Sequence, residues 1–219
     1  MAITAKEVKQ LRDKTGAGMM DCKKALTETE GNQEKAEEWL RVKGLSQAGK
    51  KSGRTAAEGA VSSYIHMGGK IGVLLEVNCE TDFVARGDVF QGFVKDICMH
   101  IAAAAPQYLG RDDVPADVVA KERSLFAEEV KQQGKPDNIV DKIVDGKINK
   151  WYGDICLMEQ GFVKEPKQTI EQVRAEVVAK TGENVQIRRF ERYGLGEGIE
   201  KKKENLAEEI AKMAKDVAS

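Results

Sequence analysis

Ile71-Gly72-Val73-Leu74-Leu75-Glu76-Val77-Asn78-Cys79 runs without a break into Glu80-Thr81-Asp82-Phe83-Val84-Ala85-Arg86. In the first half Ile71, Val73, Leu75 and Val77 alternate with their neighbours, the period of a half-buried strand. Past Arg86 the period changes. Phe90, Phe93, Val94, Ile97 and Ile101 recur at helical spacing and form one apolar face of an amphipathic helix, which Pro106 ends. Asp88 and Gln91 are candidate caps for it. Upstream, Val61, Ile65 and Met67 alternate with mostly polar neighbours, and Gly68-Gly69 suits a two-residue hairpin turn. The quoted stretch is therefore the second strand of a hairpin that passes straight into a helix, and the fold class is α+β with a small antiparallel sheet.

Downstream, a helix is expected from about Pro115 to Gln133, with Val119, Phe126 and Val130 along one face, and another from about Pro136 past Trp151, with Ile139 and Ile143 inward. Thr169 with Gln172 makes a capping box for a further helix that buries Ile170, Val173 and Val177 and stops at Gly182. Val185 to Tyr193 reads as a strand whose alternation breaks at Arg189-Phe190. Gly194, Gly196 and Gly198 then interrupt the chain, and Ile199 to Val217 carries Leu206, Ile210, Met213 and Val217 in helical register.

The N-terminal stretch reads as three short helices. Thr4 and Glu7 form a capping box, Ile3 and Val8 a hydrophobic staple, and Val8 and Leu11 share a face. A second helix from Met19 to Thr29 buries Cys22, Ala25 and Leu26. A third, capped by Asn32, carries Ala36, Trp39 and Leu40 and is expected to stop near Gly44. The polar, basic Ser46–Arg54 reads as a linker. The organisation is then a three-helix module over 1–45, a linker over 46–54, an α+β core over 55–196 and a C-terminal helical module over 197–219.

The 219 residues are 41% hydrophobic and 32% charged, as in soluble globular proteins. Lys and Arg (35) nearly cancel Asp and Glu (36), so nothing supports binding to a nucleic-acid backbone. Cys22, Cys79, Cys98 and Cys156 form no CxxC pair, and His66 and His100 sit far from any Cys pair in sequence, so zinc-site spacing is absent and free thiols in a reducing compartment are expected. The N-terminus lacks the apolar core of a signal peptide and no run is long enough to span a membrane, so the expected location is the cytoplasm.

Motifs for catalysis are absent. Gly194-Leu195-Gly196-Glu197-Gly198 lacks the spacing of a dinucleotide loop, and there is no P-loop, nucleophile elbow, HExxH or kinase signature. Two features stand out. Met19-Met20 lies beside two glycines, and adjacent helical residues point about a quarter-turn apart, so a small module cannot bury both; an exposed methionine is an adaptable contact. Thr81-Asp82-Phe83 sits at a strand-to-helix junction. On composition alone, Thr81 or Asp82 caps a helical turn and Phe83 anchors the helix to the hairpin; the same junction is also a rigid support from which side chains project.

Leu11-Arg12-Asp13-Lys14-Thr15-Gly16-Ala17-Gly18-Met19-Met20-Asp21-Cys22-Lys23-Lys24-Ala25-Leu26 closely resembles the N-terminal signature of the elongation factor Ts family. Glu76 to Ala85 resembles its second signature, and Gly196-Glu197-Gly198-Ile199-Glu200-Lys201 the start of its C-terminal module. The resemblance implies a ubiquitin-associated-like three-helix module followed by an α+β core and a C-terminal helix. It implies a guanine-nucleotide exchange factor for elongation factor Tu that is not an enzyme, uses no cofactor or metal and binds no nucleotide itself. Arg12, Met19 and Met20 would grip the partner's nucleotide-binding domain, with the C-terminal helix adding a contact. Thr81, Asp82, Phe83 and Val84 would act at its magnesium site. The chain resembles the short form of the family, with little room for the duplicated core and coiled-coil arm of longer members, which admits a homodimer or a complex with two partner molecules. Other readings are a ubiquitin-type binding module on a scaffold, an enzyme with an unrecognised carboxylate site, or an RNA binder; the first predicts no effect on GDP release, the second a substrate-dependent turnover without any GTPase, and the last steep salt dependence.

Overall fold

Thr4 starts the first helix as its sequence demands. Its hydroxyl accepts from the Glu7 amide, and the Glu7 carboxylate accepts from the Thr4 amide at 2.7 Å. The computed structural model describes residues 3–199, and the helix expected over Ile199 to Val217 lies outside them except for Ile199 itself. Three helices follow in order: α1 (Ala5–Thr15), α2 (Met19–Glu28) and α3 (Gln33–Lys51). Val8, Leu11, Cys22, Ala25, Leu26 and Ala36 close a small core between them, with Ile3, Trp39 and Leu40 at its edge.

α3 corrects the expected boundary. It continues past Gly44 to Lys51, so most of the stretch read as the linker Ser46–Arg54 is helix. Tertiary packing overrides the glycine. Gly44 and Ala48 are buried where α3 crosses α8 (Ile170–Thr181), and a β-carbon at Gly44 would sit 3.7 Å from the Ala175 carbonyl oxygen. Such close contact between helices favours small residues at the crossing, and it supports turns whose own propensity for helix is poor.

β1 (Glu58–Ile65), β2 (Ile71–Cys79) and β5 (Gln186–Gly194) form an antiparallel sheet in the order β1-β2-β5. Gly68 and Gly69 turn the β1–β2 hairpin with positive φ, as the sequence indicates. The register places Tyr64, Ser62 and Ala60 opposite Val73, Leu75 and Val77, on the covered face. Val61, Ile65 and Met67 are therefore exposed, against the apolar face that the alternation suggested for this strand. The large side chains of α5 (Asp88–Ala104), Phe90, Phe93 and Ile97, fill the space under the sheet, where β1 contributes the small Ala60 and Ser62 together with the partly buried Tyr64. Gly59 marks the tightest point: a β-carbon there would lie 2.1 Å from the Val77 carbonyl oxygen. The break in alternation on β5 is a bulge. Val77 pairs with Ile187 and Glu76 with Arg189, so Arg188 is extra and both guanidiniums reach the Glu76 carboxylate. These two bonds hold the Glu76 carboxyl below the usual range.

α5 starts at Gly87 without a side-chain cap. Gln91 instead donates to the Ala85 carbonyl at 2.6 Å, so neither Asp88 nor Gln91 acts as the expected cap. α6 (Ala116–Gln132) and α7 (Asp137–Ile155) form a helical hairpin with its own core of Val130, Val140, Val144 and Ile148. Ile139 is exposed rather than inward, and Val140 takes its place. A two-stranded ribbon, β3 (Gly161–Phe162) and β4 (Glu165–Thr169), leads into α8, whose Thr169–Gln172 capping box and Gly182 end are as expected. The fold is α+β with a small antiparallel sheet, its one covered face carrying α5 and α8 in the main core.

Candidate functional site: the Thr81–Val84 turn and its supports

The strand β2 ends at Cys79, and two residues later the chain enters α4 (Asp82–Ala85), a single helical turn. Thr81 has extended backbone and caps it, accepting from the Val84 amide at 3.3 Å. Within one turn the side chains divide. Ala85 is buried and Val84 packs against the main core, while Asp82 and Phe83 point outward. Phe83 is 83% exposed. The reading of Phe83 as an anchor on the hairpin is thus overturned, while that of Thr81 as the cap holds. The physical cause is the 100° step of the helix: with Val84 and Ala85 on the core, the preceding residues must face water. Asp82 pairs with Arg86 at 2.7 Å on the surface, a contact that contributes little. Phe83, Val84, Val89 and Lys180 border a shallow groove of about 720 Å³ in which the phenyl ring is the main exposed apolar group.

Beneath the turn lies a network of bonds from distant parts of the chain. The Glu183 carboxylate accepts from the Glu80 and Thr81 amides, each at 3.0 Å, and from the Thr81 hydroxyl at 2.6 Å. In return Glu80 accepts from the Asn184 amide at 2.6 Å. Asn184 is fully buried and donates its side-chain amide to the Arg54 carbonyl at 2.8 Å. The Cys79 thiol donates to the Thr81 carbonyl at 3.2 Å, and burial pushes that thiol up. Glu183 and Glu80 were not singled out from sequence. A carboxylate placed just after a helix C-terminus, where the dipole disfavours it, was the available signal at Glu183.

Arg12, Met19 and Met20 lie on the N-terminal module. Arg12 is exposed on α1, and Met19 and Met20, the first residues of α2, are 47% and 74% exposed. Among the described residues, no hydrogen bond or ion pair joins this set to the Thr81–Val84 turn. The two are related through α8. The Lys180 stem crosses Gly16, the cap of α1, so closely that a β-carbon at Gly16 would lie 2.8 Å from Lys180 Cε. The same lysine borders the Phe83 groove. Lys51 at the end of α3 donates to the Gly182 carbonyl at 2.8 Å.

The titratable groups elsewhere serve packing. All four cysteines are buried free thiols. Burial raises each of them, Cys156 to about 11, which leaves them poor nucleophiles at neutral pH. His100 is buried between Gln160, at 3.0 Å from Nε2, and the Val163 amide, which donates to Nδ1 at 3.3 Å. That pattern fixes a neutral ring with its proton on Nε2, and burial lowers its basicity. Among the described residues no cluster of His, Cys, Asp and Glu is arranged to hold a metal ion, and no helix is long and apolar enough to cross a membrane.

Comparison with known proteins matches this arrangement to a single family. The family model described as "Elongation factor TS" matches residues 3–197. The chain is 64% identical to the elongation factor Ts of Anaeromyxobacter sp. (strain K), over 97% of each chain. It is 59% identical to that of Geobacter sulfurreducens, over 98% of this chain and 99% of the relative, and 58% identical to that of Citrifermentans bemidjiense, over 96% and 98%. The two signatures that flank Met19-Met20 and Phe83 thus sit inside a match along almost the whole length, and the chain belongs to the elongation factor Ts family.

Proposed function

We propose that this chain binds elongation factor Tu in its GDP-bound form, disturbs the partner's magnesium site through Phe83, and so releases GDP for replacement by GTP. The observation that carries the reading is a phenylalanine 83% exposed on a turn whose entry is tied to Glu183 and Asn184 by several hydrogen bonds. An exposed ring on a rigid support is a wedge: it forgoes burial in its own fold and loses little freedom when it enters a partner. Magnesium at a GTPase phosphate site demands near-octahedral oxygen ligands, so a small helix displacement spoils its coordination. Thr81 and Asp82 hold the turn or bond to displaced backbone, and Val84 roots it in the core. Arg12, Met19 and Met20 supply the grip on the nucleotide-binding domain.

One wedge is not enough for a large acceleration. Speeding GDP release a thousandfold takes about 4 kcal/mol of preferential binding to the release state. Burying one phenylalanine supplies roughly 1.5–3 kcal/mol. The remainder has to come from other contacts of the interface that strengthen in the release state. Coupling is reciprocal, so GDP weakens the factor's binding by the ratio in which the factor weakens GDP's. No bond is made or broken in the factor itself. The test is release of fluorescent GDP from elongation factor Tu with this protein or its Phe83→Ala variant in substoichiometric amount. Acceleration that the variant loses supports the wedge; equal acceleration by both sinks it.

The outer face of the sheet favours a second element of the reading, a homodimer. Val61, Ile65, Leu74 and Tyr193 are exposed together on the sheet face that no helix covers among the described residues. An apolar patch of this kind, bordered by Glu76, Arg189 and Glu191, is where the sheets of two copies would stack about a two-fold axis. Such a dimer would carry two Phe83 turns and accommodate two partner molecules. Sedimentation equilibrium of the unaltered protein and of Leu74→Glu checks it. A dimer that the substitution splits is expected, and a monomer at tens of micromolar would exclude it.

A further inference from the structure

Glu183 lies 102 positions from Thr81 in sequence, yet its two carboxylate oxygens take three of the donors at the entry to the Phe83 turn. The Oε2 atom accepts both backbone amides that lead into the turn, and Oε1 accepts the cap hydroxyl, which in turn accepts from the Val84 amide. A helix of only four residues has no stability of its own, because nucleation fixes more dihedrals than its hydrogen bonds repay. Something outside it must hold its first residues. Glu183 is placed to do so at an electrostatic disadvantage, since it directly follows Gly182 at the carbonyl end of α8. The donors it meets explain why a carboxylate stands there. The same helix end receives Lys51 from α3 and sends Lys180 across Gly16, beside the turn that leads to Met19 and Met20.

We propose that Glu183 is a positioning residue for nucleotide exchange: it touches no partner group, and it fixes the Thr81–Phe83 turn against the end of α8 so that the phenyl ring and the N-terminal module meet the partner at a set distance. This rests on the exchange reading above. It differs from a merely structural role in one respect, that Glu183 acts only through Phe83.

Two measurements decide the matter and fail separately. The first needs no partner. Amide hydrogen exchange of Glu80 and Thr81 is read by nuclear magnetic resonance in the unaltered full chain, in Glu183→Ala and in Glu183→Gln. Protection of both amides that is lost in the alanine variant and largely kept in the glutamine variant, whose carbonyl still accepts, is the expected result. Unchanged protection in Glu183→Ala overturns the clamp. The second is stimulated GDP release from elongation factor Tu by Glu183→Ala, Phe83→Ala and the double variant. Glu183→Ala should lose about tenfold in rate, Glu183→Gln should recover most of it, and the double variant should be no slower than Phe83→Ala alone. Losses that multiply overturn the positioning role, because Glu183 would then act by a route other than Phe83. If the unaltered protein does not stimulate release, the exchange reading fails, and Glu183 as a positioning residue for exchange falls with it; the amide measurement still tells whether the clamp exists.

Discussion

The two exposed apolar features of this molecule are supported in opposite ways. Met19 and Met20 stand at the start of α2, where Gly18 provides no side-chain cap and the hydrogen-bonded supports are local: the Gly16 amide bonds to the Arg12 carbonyl and Cys22 packs beneath, with the Lys180 stem reaching Gly16 from afar. Phe83 stands on a shorter helix, yet that helix is held by residues about 100 positions away. The side chains follow the supports. Methionine is unbranched and flexible and adapts to an irregular surface, whereas phenylalanine has two side-chain torsions and keeps its shape. A flexible contact on a locally built turn suits gripping, and a stiff one on a cross-linked turn suits displacement. Grip lowers the energy of all bound states alike, and only a contact stronger in the release state accelerates release.

That contrast sets the order of expected effects. Phe83→Ala should be the largest, a loss of roughly tenfold to a hundredfold in stimulated GDP release at saturating factor, matching the burial of one phenyl ring. The thermal midpoint should hardly change, because the ring makes little contact in the free protein. Met19→Ala with Met20→Ala should come next, with about tenfold weaker binding of the partner and a nearly unchanged maximal rate, read by titrating the factor. A fall in maximal rate as large as that of Phe83→Ala would erase the distinction between grip and wedge. The smallest effect is a control that touches neither region. His100 is buried and neutral, and its basicity is lowered, so the unfolded chain takes up a proton that the native state resists. Its contribution to stability is complete above about pH 6.5 and is lost as the pH falls through the folded-state value. Urea midpoints should therefore fall between pH 7.5 and pH 5.5 more in the unaltered protein than in His100→Asn, with the Phe83 and methionine contacts unaffected.

Much of this fold could be read from local chemistry. Thr4 with Glu7 and Thr169 with Gln172 name their own helix starts, because a capping box is a contact between residues three apart. The Gly68-Gly69 turn and the alternation of β2 are equally local. The misreadings share a cause. Gly44 looked like a helix end, but α8 holds α3 together across it. Val61 and Ile65 looked inward, but the register and the bulk of α5 put Tyr64, Ser62 and Ala60 there instead. Ile139 yielded its inward place to Val140 on a helix whose apolar positions admit either choice. For Gly44 and for Val61 and Ile65 the deciding neighbour is another element of the tertiary fold, and for Val140 it is the preceding helix α6.

The same division runs through the candidate site. Sequence by itself determined the family, the segments that carry Arg12, Met19, Met20 and Thr81 to Val84, and a cap at Thr81 or Asp82, since each depends on residue identity and short spacing. Only the tertiary structure decided that Phe83 faces water, that Glu183 and Glu80 brace its turn, and that one end of α8 meets both this turn and Gly16, ahead of Met19 and Met20. The exposure of a single side chain on a four-residue helix depends on which of its neighbours finds a core to enter. That core is assembled from β2, α5 and α8, whose separations along the chain carry no local signal of their meeting.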